Sequence, residues 1–481
     1  MRKYPGATAP FRAERRRGDP FCKAKWGEYL RHGSISQRWS IYRLKGMHMD
    51  TKINDKDFIA NTYGRFDLEL VKGKGSLLYD ENGKEYIDLG TGIAVNVFGA
   101  GDDEWKQAVI DQLNLIPHTS NLYYSVPQTK LAKLLCEKTG MKKVFFGNSG
   151  AEANECMIKV IRKYASDKYG DERNIIVTLV NSFHGRTITT LSATGQDVFH
   201  KSFGPFTEGF LYTPANDFEA LRALCDKNKG KIAGIMMELV QGEGGVIALT
   251  PSFVKQVAEY AKTYDILLGI DEVQTGNGRT GAFYTFMQYG ITPDVVSTVK
   301  GIAGGLPMGA CLIGEKCKDT LNPGSHGSTF GGNPVVTAGA YSILSRIDDK
   351  LLNGVKERSK FIIEKLTGLK LDDDFQPTGL AEGMDKDAKT SDGKSIGDVL
   401  KEYVYGIWPS FKKGIISVSG MGLMLGIQTE KEAKAVVNKA IEKGTIALTA
   451  KTKVRLLPAL NIPMELLEKG LDTIVSSIEE V

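Results

Sequence analysis

From Trp105 to Ile343 short apolar runs alternate with helical patterns, and this alternation restricts the fold more than any other feature of the 481-residue chain. Lys143 to Phe146, Ile175 to Val180, Ile232 to Val240, Ile266 to Ile270 and Val295 to Thr298 read as strands. Apolar side chains fill consecutive positions in them, the pattern of strands covered on both faces. Strands separated by helices imply an α/β fold with a mostly parallel sheet. In such a sheet the carboxyl ends of the strands are where ligand groups collect.

Beyond this region Glu430 to Lys443 has helical spacing, with Ala433, Val436, Val437 and Ala440 on one face, and the strand-like Val454 to Leu457 is stopped by Pro458. This predicts a smaller α+β domain. The expected organisation is a basic arm, 1–46, outside the fold; a segment, 47–104, contributing to the small domain; a large domain, 105–345; and a C-terminal small domain, 346–481. The stretch Leu371 to Lys394, rich in Asp, Lys, Gly and Thr, reads as an exposed insertion or linker.

The formal net charge of +5 is unevenly spread: the first 46 residues hold twelve Lys and Arg against Glu14, Asp19 and Glu28, so the arm carries +9 and the remainder −4. The body is mildly acidic, so the chain's overall basicity sits in the arm and says nothing for nucleic-acid binding by the folded part, and no nucleic-acid partner is expected. Three readings of the arm stay open: an upstream translated leader or vector-derived segment before Met47 or Met49, an organelle-targeting peptide, and a nucleic-acid arm. No apolar run approaches the roughly 18 to 20 residues of a membrane helix, so no membrane role is expected. The six cysteines are scattered, without C-x-x-C or zinc-like pairing with histidine. Reduced thiols, no metal and a cytoplasmic location follow as expectations, with a mitochondrial one if the arm is a targeting peptide.

Three strand ends carry candidate chemistry. After Val144-Phe145-Phe146 the turn Gly147-Asn148-Ser149-Gly150 opens a helix near Ala151, and helix-start N–H groups with a serine hydroxyl suit a phosphate dianion. Taken alone, such a turn is more often plain turn chemistry. After Ile266 to Ile270 comes Asp271-Glu272-Val273-Gln274, where an acid can face a cationic ligand nitrogen; an isolated acid there more often caps or solvates the strand end. After Val295 to Thr298 comes Lys300, followed by Gly301, Gly304 and Gly305. Most lysines are solvated, but a desolvated amine among small residues can act as a nucleophile. Together the three supply a phosphate cradle, an anion for a ring nitrogen and an amine for an aldehyde, the three handles of pyridoxal phosphate. Gly276-Asn277-Gly278-Arg279-Thr280-Gly281 formally matches the dinucleotide string G-x-G-x-x-G, but it falls late in the fold without a clearly placed ribose acid.

From about Tyr63 to the C-terminus the chain resembles the class III, fold-type I pyridoxal-phosphate aminotransferases. The motifs are Gly147-Asn148-Ser149-Gly150-Ala151-Glu152, Phe183-His184-Gly185-Arg186-Thr187, Gln241-Gly242-Glu243-Gly244-Gly245, Asp271-Glu272-Val273-Gln274, Lys300, Ser328-Thr329-Phe330-Gly331-Gly332-Asn333 and Arg455-Leu456-Leu457-Pro458. The resemblance implies that Lys300 is bound to the cofactor aldehyde, that Asp271 pairs with the ring nitrogen and that Gln274 meets the ring hydroxyl. It implies that Ser149, Gly150 and Ala151 hold the phosphate, that Phe183 stacks on the ring, and that Thr329 reaches the phosphate of a neighbouring subunit, hence a homodimer with shared active sites. Arg186 and Arg455 would bind substrate carboxylates, Arg455 the donor's; Glu243 would pair with Arg186 and release it for 2-oxoglutarate, and Tyr63 would line the same pocket.

The implied reaction moves the terminal amine of N2-acetylornithine to 2-oxoglutarate, as in arginine biosynthesis; ornithine, succinyldiaminopimelate and 4-aminobutyrate are the alternative donors. A nicotinamide-dependent dehydrogenase built on Gly276 to Gly281, and an RNA or membrane-surface binder built on the arm, are the readings from other classes. The chain departs from the family where E-P is usual (Glu238-Leu239), where G-H-x-H-P is usual (Gly99-Ala100-Gly101-Asp102-Asp103) and where V-R-G is usual (Val418-Ser419-Gly420).

Overall fold

The computed structural model describes residues 51–481, so the basic arm, Met47 and Met49 lie outside the described residues. The chain divides into two compact units, Met1–Asp67 and Leu68–Val481. In the described part of the first, the helix Thr51–Phe58 buries none of its residues. Arg65 pairs with Asp55 at 2.6 Å and lies 5.4 Å from the Tyr63 ring centre, and Tyr63 itself is exposed.

In the second unit seven strands form the central sheet, in the order Lys143–Gly147, Gly309–Ile313, Val295–Thr298, Leu267–Asp271, Ile232–Met237, Ile175–Leu179 and Phe210–Thr213. The four pairs from Val295–Thr298 outward to Phe210–Thr213 are parallel. Gly309–Ile313 alone runs against both of its neighbours. The expected two-sided burial holds in the middle of the sheet, where every residue of Ile232–Met237, Leu267–Asp271 and Val295–Thr298 is buried.

The long helix Gly150–Tyr169 packs on this sheet through Cys156, Met157, Val160 and Ile161. It lies close because two strand positions opposite it carry no side chain. A Cβ on Gly234 would stand 2.5 Å from Ile161 Cγ2, and one on Gly269 2.7 Å from Met157 Sδ. That close approach sets the helix start at the sheet's carboxyl edge.

A second sheet of five strands, ordered Ile407–Pro409, Ile415–Met421, Met424–Thr429, Lys453–Leu456 and Leu448–Ala450, is antiparallel throughout. The helix expected over Glu430 to Lys443 spans Ala433–Glu442 and buries the four residues of its apolar face. A third sheet joins distant parts of the unit, since Thr445–Ile446 pairs in parallel with Glu85–Asp88.

Two sequence expectations change in detail. The run Ile232 to Val240 breaks after Met237, and Val240–Gln241 turns back to pair with Ile247–Ala248, so the Glu243 turn becomes the tip of a hairpin. The stretch Leu371 to Lys394 is exposed or half-buried except at Leu371 and Thr390, but it is not wholly irregular. Leu369–Leu371 and Pro377–Leu380 form a hairpin, and Trp408 Nε1 donates to the Phe375 carbonyl at 2.9 Å. Among the described residues no helix is long and apolar enough to cross a membrane.

Candidate active site

Parallel strands bring their carboxyl ends to one edge, and three of those ends deliver the turn at 147–150, Asp271 and Lys300. Their proximity shows in the packing. A Cβ on Gly150 would stand 3.3 Å from Val273 Cγ1 and 4.0 Å from Val299 Cγ2, so the helix start lies against the residues that follow Asp271 and precede Lys300.

The turn is set by its own side chains. Ser149 is the N-cap, its hydroxyl accepting from Glu152 N at 3.2 Å, while the Glu152 carboxylate accepts from Asn148 N at 2.6 Å. Asn148 Nδ2 also donates to Ser328 Oγ at 3.0 Å, which anchors the loop carrying Thr329 beside the cradle; Thr329 and Phe330 are themselves exposed. The opening N–H groups of the helix, at Gly150 and Ala151, have no residue within the helix to bond.

Asp271 is buried and held by three donors: Asn154 Nδ2 and His184 Nδ1, each 2.8 Å from Oδ2, and Val273 N, 2.9 Å from Oδ1. Donation to the carboxylate places the imidazole proton on Nδ1, and Nε2 is buried without a partner. Three converging donors fix the orientation of the carboxylate at the strand end. Asn154 and His184 were not singled out for this task by sequence reasoning. Asn154 did carry a signal, as a polar residue on the apolar stripe shared with Met157, Ile158 and Ile161.

Lys300 sits at φ +36°, in the left-handed region that a side chain rarely adopts and that recurs where function constrains the backbone. Burial lowers its pKa against the opposing pull of Glu243, Asp271 and Glu238, with Arg455 adding to the depression. The charges of those four groups therefore act on the amine. Glu238, at the end of the strand Ile232–Met237, accepts from Phe183 N at 2.9 Å, and burial followed by the nearby Asp271 charge pushes its carboxyl well above the usual range. It too went unassigned in the sequence, although the strand-end argument used for Asp271 applies equally to it.

The substrate groups are arranged differently from the expectation. Glu243 is joined to Arg455, not to Arg186: Arg455 Nη1 donates to Glu243 Oε1 at 2.6 Å and to Gln274 Oε1 at 3.2 Å. Burial would raise the Glu243 carboxyl, but the Arg455 guanidinium and the Gln274 side chain hold it below its ordinary value. Arg186 is exposed and lies over Phe199, 4.1 Å from the ring centre, and at 5.5 Å from Phe183. Tyr63 belongs to the first unit, and its assignment stays with the resemblance.

The loop Gly276 to Gly281 is buried and begins no helix, so it offers no helix-start site to a dinucleotide. Its Arg279 donates instead to the carbonyls of Leu423 and Pro458.

Known proteins agree with this architecture. A family model described as aminotransferase class-III matches residues 58–378. The chain is 42% identical to an acetylornithine aminotransferase of Haemophilus ducreyi over 429 residues, 89% of this chain and 98% of the relative. A succinylornithine transaminase of Salmonella newport is 37% identical, covering 90% of this chain and 97% of its own length. Among solved structures, an ornithine aminotransferase from Toxoplasma gondii, crystallised with partial occupancy of PLP at its active site, superposes with a TM-score of 0.78 at 25% identity, covering 94% of this chain and 99% of that one. The N-acetylornithine aminotransferase of Stenotrophomonas maltophilia gives 0.68 at 30% identity, over 87% and 97%. A match of this extent, on a chain whose 147–150 turn, buried acid and lysine share one strand edge, makes this protein a member of the class III aminotransferase family, fold-type I enzymes that use pyridoxal phosphate.

Proposed function

We propose that the enzyme transfers the terminal amine of N2-acetylornithine to 2-oxoglutarate, giving N-acetylglutamate semialdehyde and glutamate, as a cytoplasmic homodimer that binds pyridoxal phosphate. The observation that carries this reading is the guarded arginine beside the lysine: Arg455 held by Glu243, with both felt by Lys300. The near full-length relatives named for acetylornithine support the choice of donor.

Pyridoxal phosphate supplies an electron sink for the pair released at the substrate carbon. Ser149, Gly150 and Ala151 hold its phosphate, within the large domain 105–345. Asp271, fixed by Asn154 and His184, would face the ring nitrogen, Gln274 would meet the ring hydroxyl and Phe183 would cover a ring face. Lys300 would be the residue that bonds the cofactor aldehyde, and its Nζ would hold or move a proton at the substrate carbon. Burial depresses its pKa and makes the neutral, proton-accepting amine more accessible near pH 7.

The acceptor has two carboxylates and the donor one. The donor's carboxylate meets the open Arg186, leaving Arg455 with Glu243; the second carboxylate of 2-oxoglutarate displaces Glu243 and takes Arg455 as a two-point partner. This reverses the pairing expected from the resemblance. Thr329 completes the partner subunit's phosphate site. The exposed apolar side chains Leu122, Tyr123, Tyr124 and Phe330 support a partner here, being a large apolar group on one chain.

The test is a donor panel with 2-oxoglutarate, following glutamate, using N2-acetylornithine, N2-succinylornithine, ornithine, succinyldiaminopimelate and 4-aminobutyrate. The expected enzyme is yellow, bleaches with borohydride and has its highest kcat/KM on N2-acetylornithine. A different preferred donor, or turnover by Lys300→Ala, refutes the reading.

A further inference from the structure

Lys453 is a half-buried lysine that forms no ion pair among the described residues. Its Nζ donates to Ser419 Oγ at 2.5 Å, and burial alone pulls its pKa down to about 8. A desolvated amine without an acid is costly to keep, so its surroundings are informative.

Those surroundings lead to Glu243. Ser419, Gly426 and Arg455 lie opposite one another on three adjacent strands, and Lys453, two residues before Arg455, projects from the same face. Gly426 leaves a lane for the lysine: a Cβ there would stand 3.1 Å from Lys453 Cδ and 3.0 Å from Val246 Cβ. At the end of the lane Ser419 Oγ donates to the Val246 carbonyl at 2.9 Å. Val246 closes the turn that begins at Gly242 and carries Glu243, its N–H reaching the Gly242 carbonyl at 3.3 Å. It does so at φ +56°, a conformation that a β-branched residue adopts only under constraint. Where the family pattern has an arginine, this chain has Ser419, and a cation reaches that hydroxyl from two strands away.

We propose that Lys453, acting through Ser419, is a positioning residue that sets how firmly Glu243 holds Arg455, and so sets the discrimination between one-carboxylate donor and two-carboxylate acceptor. The inference rests on the functional reading above. Donation by the lysine occupies an acceptor site on the Ser419 hydroxyl and directs its single hydrogen at Val246 O. The strained turn is thereby fixed with Glu243 in reach of Arg455. Without that tether the turn relaxes, Glu243 competes less well, and a carboxylate reaches Arg455 more easily.

The experiment is steady-state kinetics on the full-chain holoenzyme for Lys453→Met, Lys453→Arg, Ser419→Ala and Glu243→Gln, and for the first and third combined with Glu243→Gln. Lys453→Met and Ser419→Ala are expected to lower KM for 2-oxoglutarate about 3- to 10-fold, with kcat within about twofold and the donor KM unchanged. Lys453→Arg restores the wild-type value, and in the Glu243→Gln background neither substitution moves KM. Unchanged KM, a fall in kcat alone, or the same shift with Glu243 removed overturns the proposal. Should Ser419→Ala fail to fold, the half-buried Lys453→Met decides the matter. Wild-type turnover of N2-acetylornithine with 2-oxoglutarate separates the two levels: its absence overturns the functional reading and this one with it, whereas turnover with a failed cycle overturns only this one.

Discussion

Glu272, next to Asp271, is fully buried, with one carboxylate oxygen accepting from Thr275 Oγ1 at 2.5 Å and the other from Phe286 N at 2.9 Å. Burial raises its pKa from 4.5 to about 7, against the lowering by those donors, and the Asp271 charge adds to the rise. Between these values the folded chain holds a proton that the unfolded chain has lost, so stability falls as pH rises from about 4.5 to about 7. At about 1.4 kcal/mol per unit, the loss by pH 8 is about 3 kcal/mol. Glu272→Gln removes that loss and fits the site, since its carbonyl accepts from Phe286 N and its amide donates to the Thr275 hydroxyl, which can also accept. With an unfolding entropy of roughly 1 kcal/mol/K for a chain of this size, the variant melts about 3 °C higher than wild type at pH 8. The gain shrinks to below about 1 kcal/mol, or about 1 °C, at pH 5. Thermal melts of the cofactor-free protein at pH 5, 6, 7 and 8 measure this. A variant that melts lower at pH 8, or a difference independent of pH, refutes the argument.

Asn154→Ala deletes one donor to the Asp271 carboxylate, worth about 1.5 kcal/mol or more for a charged acceptor, and is expected to lower kcat about 10-fold in the steady-state assay. Arg279→Met leaves the carbonyls of Leu423 and Pro458 without their donor and removes the charge that opposes the burial-driven rise of the Asp88 carboxyl. A cost of about 3 to 5 kcal/mol should appear as a fall of several degrees in melting temperature. Tyr124→Asp puts a charge into the exposed apolar group Leu122, Tyr123 and Tyr124, and light scattering on the eluting protein should show a shift from dimer towards monomer.

The sheet was legible because two-sided burial writes itself as unbroken apolar runs, and the meeting of the 147–150 turn, Asp271 and Lys300 at one edge because strand ends are the places to look in such a sheet. What stayed hidden depends on which distant side chains meet. Glu243 and Arg455 are 212 residues apart, and nothing local tells Glu243 to choose Arg455 over Arg186. The partners of Asp271 come from a helix and a loop, 117 and 87 residues away in the chain. Gly276 to Gly281 shows the opposite problem: a string with a known meaning elsewhere here lets the backbone pack under Tyr284 and Leu460.

The strand Gly309–Ile313 contributes none of the assigned site residues, yet it stands between the strand that leads into the 147–150 turn and the one that leads to Lys300. By inserting itself in reverse it keeps its two neighbours pointing the same way and separates them by two strand spacings, about 10 Å. The order of strands, before any side chain takes part, therefore delivers the 147–150 turn and the amine of Lys300 to one edge with a single strand between them, the spacing on which the proposed reading depends.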